Sequence, residues 1–127
     1  MAQTHYGKID KEVLDRLKAI VGEQFVVTDE EKMETYSHDE VAEASYAHMP
    51  DAVVKPRSTE EIAAIMKLAN EKLIPVTPRG AGSGLSGGAV PLYGGIVLSV
   101  ERMNSILEID EKNMMVVVEP GVVTNEI

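Results

Sequence analysis

The residues best suited to chemistry in this sequence form one glycine-rich stretch, residues 78–88, which runs Pro-Arg-Gly-Ala-Gly-Ser-Gly-Leu-Ser-Gly-Gly. Glycine loses more backbone entropy on folding than other residues, so a glycine cluster favours a segment whose backbone something approaches closely. From Ile74 to Val100 there is no Asp or Glu, and Arg79 is the only charged residue. Free N–H groups, two serine hydroxyls and one cation suit a phosphate or diphosphate held by backbone amides.

Two known phosphate motifs fit this stretch poorly. A P-loop needs Lys followed by Ser or Thr after its last glycine, whereas Gly88 and Ala89 follow here. Gly82, Gly84 and Gly87 match the dinucleotide pattern G-x-G-x-x-G, but that pattern works by opening a helix. Because the glycine and proline residues at 88–95 disfavour a helix, we predict a free-standing anion-binding loop between two strands. The alternative is a glycine-rich hairpin or a mobile linker without a ligand.

The composition disfavours several other functions. The chain has 12 basic and 21 acidic residues and a formal net charge of −9, so we predict no nucleic-acid partner. It has no cysteine, which excludes disulfides and thiol catalysis. The three histidines lack metal-ligand spacing, and neither Ser83 nor Ser86 has a partnered histidine. We therefore predict no catalytic residue and no metal ligand in this chain, and we expect a cytoplasmic location because no secretion signal is evident.

Hydrophobic periodicity predicts the helices that position the loop. Apolar residues at helical spacing predict an amphipathic helix from Ile9 to Val21, which Gly22 ends. Ser58-Thr59-Glu60-Glu61 has the form of a capping box and predicts a second helix over 59–72. Thr28-Asp29-Glu30-Glu31 has the same form and predicts a short helix capped by Thr28.

Short aliphatic runs predict the strands. Residues 51–56 and 75–77 flank the helix at 59–72, so together they predict a βαβ unit with a parallel strand pair. The glycine-rich stretch then leaves the carboxyl end of the second strand, where open α/β sheets bind ligands. Residues 96–100 predict a further strand, and 106–109 with 114–119 predict a hairpin whose first strand is half-buried. The predicted fold class is α+β, a small mixed sheet with a βαβ unit flanked by helices.

With these elements placed, residues 52–127 resemble the FAD-binding domain of the vanillyl-alcohol oxidase/p-cresol methylhydroxylase flavoprotein family. The resemblance rests on residues 75–89, on Met103-Asn104 followed by 106–110, and on 118–122. It is greatest to the branch that contains the D-type component of glycolate oxidase and the FAD-linked D-lactate dehydrogenases. It implies an N-terminal helical lead-in over 1–50 and the first, diphosphate-loop subdomain of a PCMH-type FAD-binding domain over 51–127, truncated at its C-terminus.

The resemblance also implies where the cofactor binds. In the family, the glycine loop holds the FAD diphosphate and the Pro120-Gly121-Val122 turn approaches the flavin. The cofactor-binding residues implied are Pro78, Arg79, Gly80, Ala81, Gly82, Ser83, Gly84, Leu85, Ser86, Gly87, Gly121 and Val122. Arg79 has two open roles, since it could place favourable charge near the diphosphate or pair with a carboxylate of the fold.

The implied function of the full-length protein is that of an FAD-dependent 2-hydroxy-acid dehydrogenase or oxidase of the glycolate or D-lactate type. Such a protein forms a 2-oxo acid, passes electrons to an acceptor, and works with companion subunits that could hold it at the inner membrane. This chain alone is expected to be inactive, to hold an incomplete FAD site, and to self-associate through exposed core surface. Two alternatives stay open: a relative in the same flavin family with other chemistry, and a non-catalytic nucleotide-binding or interaction module complete at residue 127.

Overall fold

A computed structural model describes residues 5–41 and 46–127. Its centre is a four-stranded sheet with helices packed against it, followed by a separate two-stranded hairpin. The helices are α1 (Lys11–Val21), α2 (Glu30–Met33) and α3 (Thr59–Lys72), and the strands are β1 (Val26–Val27), β2 (Ala52–Val54), β3 (Val76–Arg79), β4 (Ile96–Ser99), β5 (Ile106–Asp110) and β6 (Met115–Val118). Short 3-10 turns occupy Glu23–Phe25, Glu34–Tyr36 and Thr124–Glu126.

Side-chain caps explain where the helices begin. Asp10 accepts a hydrogen bond from the N–H of Val13 at 2.9 Å, and Ser58 caps α3 as predicted by accepting from the N–H of Glu61 at 3.2 Å. The prediction that Thr28 caps α2 is wrong: the cap is Asp29, whose carboxylate accepts from the N–H of Lys32. Within the described ranges, no helix is both long enough and apolar enough to cross a bilayer.

The sheet has the order β1-β2-β4-β3, in which β1 is antiparallel to β2 and the other three strands are parallel. The predicted α+β class with a small mixed sheet is therefore confirmed. The expected pairing of the two strands around α3 is wrong, because β4 lies between β2 and β3. All four residues of β4 are buried, which suits the central position, whereas β3 contains Pro78 and lies at the edge, where a missing N–H is tolerated.

Each face of the sheet has its own apolar cluster. On one face, α1 and α3 pack against β1, β2 and β4 through Val13, Leu17, Val21, Val26, Val54, Ile65, Leu68, Ile96 and Leu98. On the other face, Val53 and Val97 pack with Met33 from α2, and Tyr36 lies against them. Residues before 50 thus contribute to both faces, and the 3-10 turn that carries Tyr36 lies on the side of the sheet opposite α1 and α3.

The hairpin of β5 and β6 forms as predicted, but the expectation that its first strand is half-buried is wrong. Leu107 is 62% exposed and Ile109 is 63% exposed. Their neighbours Ile106, Met115 and Val117 are also exposed. Apolar side chains therefore lie on both faces of this hairpin, and within the described residues no helix covers either face.

Candidate functional site

The three parallel strands end at one edge of the sheet, and the residues that follow them lie together there. Lys55 follows β2, Arg79 ends β3, and Glu101 comes two residues after β4. The glycine loop, residues 80–88, begins at the same edge, directly after Arg79. As predicted, it leaves the carboxyl end of β3, the edge at which open α/β sheets bind ligands.

The glycine loop is held through its carbonyl groups while its N–H groups stay free. The carbonyl of Gly84 accepts from the N–H of Glu40 at 3.0 Å, and the carbonyl of Gly87 accepts from the N–H of Val90 at 3.1 Å. In the described part of the chain, no hydrogen bond uses the N–H of any residue from Gly80 to Gly88. Free amides on an anchored backbone are the donors that an anionic group needs, and a flexible linker would not be anchored in this way.

The loop has one open side and one closed side. A Cβ added to Gly80, Gly87 or Gly88 would meet no other atom within 4 Å. At Gly82 the backbone has a φ of 73°, and an added Cβ would overlap the guanidinium of Arg79. A ligand can therefore approach the backbone at the open glycines, whereas Gly82 is required by the shape of the loop itself.

A pocket of about 370 Å³ joins the start of the loop to the Pro120-Gly121 turn. Its lining brings together Thr35, Tyr36, Arg79, Gly80, Ala81, Glu101, Asn104, Gly121, Val123 and Glu126. Two segments implied as cofactor-binding by the family resemblance, distant in sequence, thus border one cavity. The second segment contributes Gly121 and Val123, whereas Val122 does not line this cavity.

Gly121 is fixed by close backbone packing. Its N–H donates to the carbonyl of Met103 at 2.7 Å, and an added Cβ would overlap the carbonyl of Val100. Only glycine allows this approach of the Pro-Gly turn to the residues after β4. The turn is therefore held rigidly at the side of the pocket.

The second half of the glycine loop faces a different hollow. Leu85, Ser86 and Gly87 line a cavity of about 260 Å³ together with Val41 and Tyr46. Pro78, Gly82, Ser83 and Gly84 line neither this hollow nor the larger pocket. The structure thus divides the sequence-derived residues between two sides of the loop, and their contacts with a cofactor stay a prediction.

A charged cluster that the sequence reasoning missed borders the larger pocket. The hydroxyl of Tyr36 donates to the carboxylate of Glu101 at 3.0 Å, and the Lys55 ammonium lies 2.6 Å from the same carboxylate. Burial lowers the pKa of Lys55, but its hydrogen bonds to Glu101 and Tyr36 and their charges outweigh burial, so the pKa lies above 10.5. Lys55 is therefore protonated at neutral pH and offsets the charge of Glu101.

The position of Lys55 and Glu101 just after two parallel strands was the signal that could have found this cluster. The absence of acids between Ile74 and Val100 is a property of the sequence and not of the space around the loop. Glu101 and Glu126 line the pocket, and Asp39 is buried beside Gly84.

Arg79 contacts the segment 35–38. Its guanidinium donates to the carbonyl of His38 at 2.6 Å and to the carbonyl of Thr35 at 2.8 Å, and it lies 5.5 Å from the centre of the Tyr36 ring. The expected pairing with a carboxylate is not what the structure shows, because backbone carbonyls take that place. Within the described ranges, no group of three or more His, Asp or Glu side chains could hold a metal ion.

Fold and site together define a class of protein: an α+β domain that presents free loop amides at the carboxyl edge of a parallel sheet, as nucleotide-cofactor-binding domains do. A family described as an FAD binding domain matches residues 50–127. The chain belongs to this FAD-binding domain family. The free amides, the open glycines and the neighbouring pocket fit a cofactor with a diphosphate.

Individual proteins agree with this assignment. The chain is 42% identical over 127 residues to a D-lactate dehydrogenase of Anaerostipes hadrus, covering all of this chain and 26% of that protein. It is 42% identical over 116 residues to the glycolate oxidase component GlcD of Bacillus subtilis (strain 168), covering 91% of this chain and 24% of that protein. A crystal structure of p-cresol methylhydroxylase with substrate bound superposes with a TM-score of 0.78 at 27% identity, covering 87% of this chain and 22% of that chain.

These findings confirm the resemblance to the vanillyl-alcohol oxidase/p-cresol methylhydroxylase flavoproteins and the FAD cofactor of the family. The chain spans about a quarter of the length of the curated relatives it matches.

Proposed function

We propose that the full-length protein containing this chain is an FAD-dependent oxidoreductase that converts a 2-hydroxy acid of the glycolate or D-lactate type into a 2-oxo acid. The observation that carries the proposal is the anchored glycine loop with free N–H groups, in a chain 42% identical to a D-lactate dehydrogenase and to GlcD. When bound, FAD supplies the flavin that takes two electrons and a proton from the substrate α-carbon. The hydroxyl proton then leaves to a base outside this chain.

The residues of this chain would bind and orient the cofactor. The amides from Gly80 to Gly84 would donate to the diphosphate, and the Ser83 hydroxyl, exposed on the loop, would add a donor. The Gly121 turn would form the wall of the pocket that faces the rest of the cofactor. Backbone donors held in place before binding cost little reorganisation, so they favour tight binding of an anion.

Partners and location belong to the proposal as well. We propose an electron acceptor and companion subunits, by analogy with GlcD, which is one component of glycolate oxidase, and a cytoplasmic location. The exposed apolar hairpin supports self-association of the chain when it is made alone. Light scattering of this chain that shows only monomers would remove that expectation.

A spectral titration of the full-length protein tests the proposal. The purified protein should contain FAD, and anaerobic addition of glycolate or D-lactate should bleach the flavin absorbance with formation of an equal amount of 2-oxo acid. L-lactate and acetate are the controls, because the first has the other configuration and the second lacks the hydroxyl group. Flavin that no 2-hydroxy acid bleaches would contradict the proposed substrate class while leaving the family assignment unchanged.

A further inference from the structure

Arg79 connects the glycine loop to a segment far away in sequence. Two nitrogens of its guanidinium, Nη1 and Nη2, donate to the carbonyls of His38 and Thr35, and the group also lies over the Tyr36 ring. Charge-assisted bonds to two carbonyls use the planar fork that would otherwise bind a phosphate in bidentate fashion. A direct bidentate contact with a diphosphate would require both of these bonds to break.

The guanidinium also determines the shape of the loop. Gly82 has a positive φ, and the space that a side chain would occupy there is filled by the guanidinium of Arg79. The loop therefore turns around its own arginine. A second contact farther along the loop, from the N–H of Glu40 to the carbonyl of Gly84, joins the same N-terminal segment to the loop.

We propose that Arg79 is a positioning residue, which holds the loop against residues 35–38 so that the amides of Gly80 to Gly84 face the anion, and that it is not a direct ligand of the cofactor. This role rests on the proposed FAD-binding function. It makes the N-terminal segment part of the cofactor site, although no side chain of residues 35–38 has to touch the cofactor. Lysine cannot replace the arginine here, because an ammonium group cannot span two carbonyls as a planar fork does.

The test compares Arg79→Lys and Arg79→Gln in the full-length protein after removal of FAD. We expect both variants to weaken FAD affinity by about tenfold or more, and by the same factor at low and high salt, because loop geometry and not charge is lost. Arg102→Lys is the matched control: Arg102 also donates to a carbonyl, that of Lys55, and lies over the Phe25 ring. It should keep the FAD affinity of the parent. A lysine variant with parent-like affinity, beside a glutamine variant whose loss shrinks at high salt, would overturn the proposal.

A second measurement needs no FAD. Leu85 is 76% exposed in the loop, so thermolysin cleavage next to it reports how well the loop is held. Arg79→Lys should increase the cleavage rate several-fold, and so should Tyr36→Leu, which removes the ring and leaves the arginine. Unchanged cleavage in both variants would overturn the proposal. Failure of the parent protein to bind FAD would instead contradict the proposed function, and the cleavage rates would still decide the role of Arg79.

Discussion

The hydroxyl of Tyr36 donates to the carboxylate of Glu101 at 3.0 Å, although 65 positions separate the two residues in the chain. This contact joins the N-terminal segment to the residues after β4, directly beside the pocket. Lys55 completes the group, with its ammonium 5.3 Å from the centre of the Tyr36 ring. The cluster therefore fastens the segment that also accepts the hydrogen bonds of Arg79.

Tyr36→Phe should lower the free energy of unfolding of the full-length protein by about 1 kcal/mol, because it removes one hydrogen bond to a charged group and keeps the ring. Urea denaturation measures the change. Tyr93→Phe is the control, since the Tyr93 side chain is 69% exposed and its hydroxyl has no hydrogen bond within the described residues. Equal stability of the two variants would show that the Tyr36–Glu101 bond contributes nothing measurable.

Gly80→Ala and Gly82→Ala should separate cofactor contact from loop shape. A methyl group at Gly80 enters open space, so the protein should keep its stability and lose FAD affinity by about tenfold or more if the diphosphate lies against this backbone. A methyl group at Gly82 meets Arg79 at a positive φ, so stability should fall by about 1–2 kcal/mol together with affinity. Thermal unfolding and FAD titration measure both effects.

Gly88→Ala is the control for this pair, because an added Cβ there also meets nothing within 4 Å and the residue is not among the expected cofactor contacts. It should resemble the parent protein in both measurements. If Gly80→Ala binds FAD as tightly as Gly88→Ala, the diphosphate does not lie against Gly80.

Asp39→Asn should raise the free energy of unfolding by about 1 kcal/mol, because an amide can keep one existing bond and removes the cost of a buried charged oxygen without a donor. Asp39 is 6% exposed; one carboxylate oxygen accepts from the N–H of Val41, and the other has no partner in the part of the chain that the structure describes. Chemical denaturation checks this, and a loss of stability would indicate that the second oxygen has a partner that the charge serves.

Lys55→Met should destabilise the protein at neutral pH and progressively less at alkaline pH. The pKa of Lys55 is raised in the folded protein, so its contribution is fully present below 10.5 and is lost as the pH rises through the higher folded value. The stability difference from the parent should therefore be constant between about pH 6 and about pH 9 and shrink above about pH 11. Lys112→Met, in the exposed hairpin turn, should show no such pH dependence.

Local patterns in the sequence predicted much of the fold. The bounds of α3, the hairpin and the position of the loop after β3 follow from capping residues, alternation and glycine content, which act between near neighbours in the chain. The position of β4 between β2 and β3 depends on which strand buries both faces best, a comparison across the whole sheet. The contacts of Tyr36 with Glu101 and of Arg79 with Thr35 join segments more than 40 positions apart, and no local spacing encodes them.

The site was predictable to the same extent. Glycine density identified the loop, and family resemblance added the Gly121 turn. Which loop residues face which cavity depends on the path of the backbone, and the acids beside the loop come from Asp39 and Glu101, outside the acid-free stretch.

The glycine loop is also part of the connection between two strands that lie side by side. Parallel neighbours usually require a crossover of a dozen or more residues built around a helix, but β3 reaches β4 through residues 80–95 with no helix between them. Nothing stiffens that span from within, so a bound diphosphate would act as its missing brace. Cofactor uptake should therefore slow amide hydrogen exchange in the edge strand as well as in the loop, and loss of cofactor would loosen the sheet from that side first.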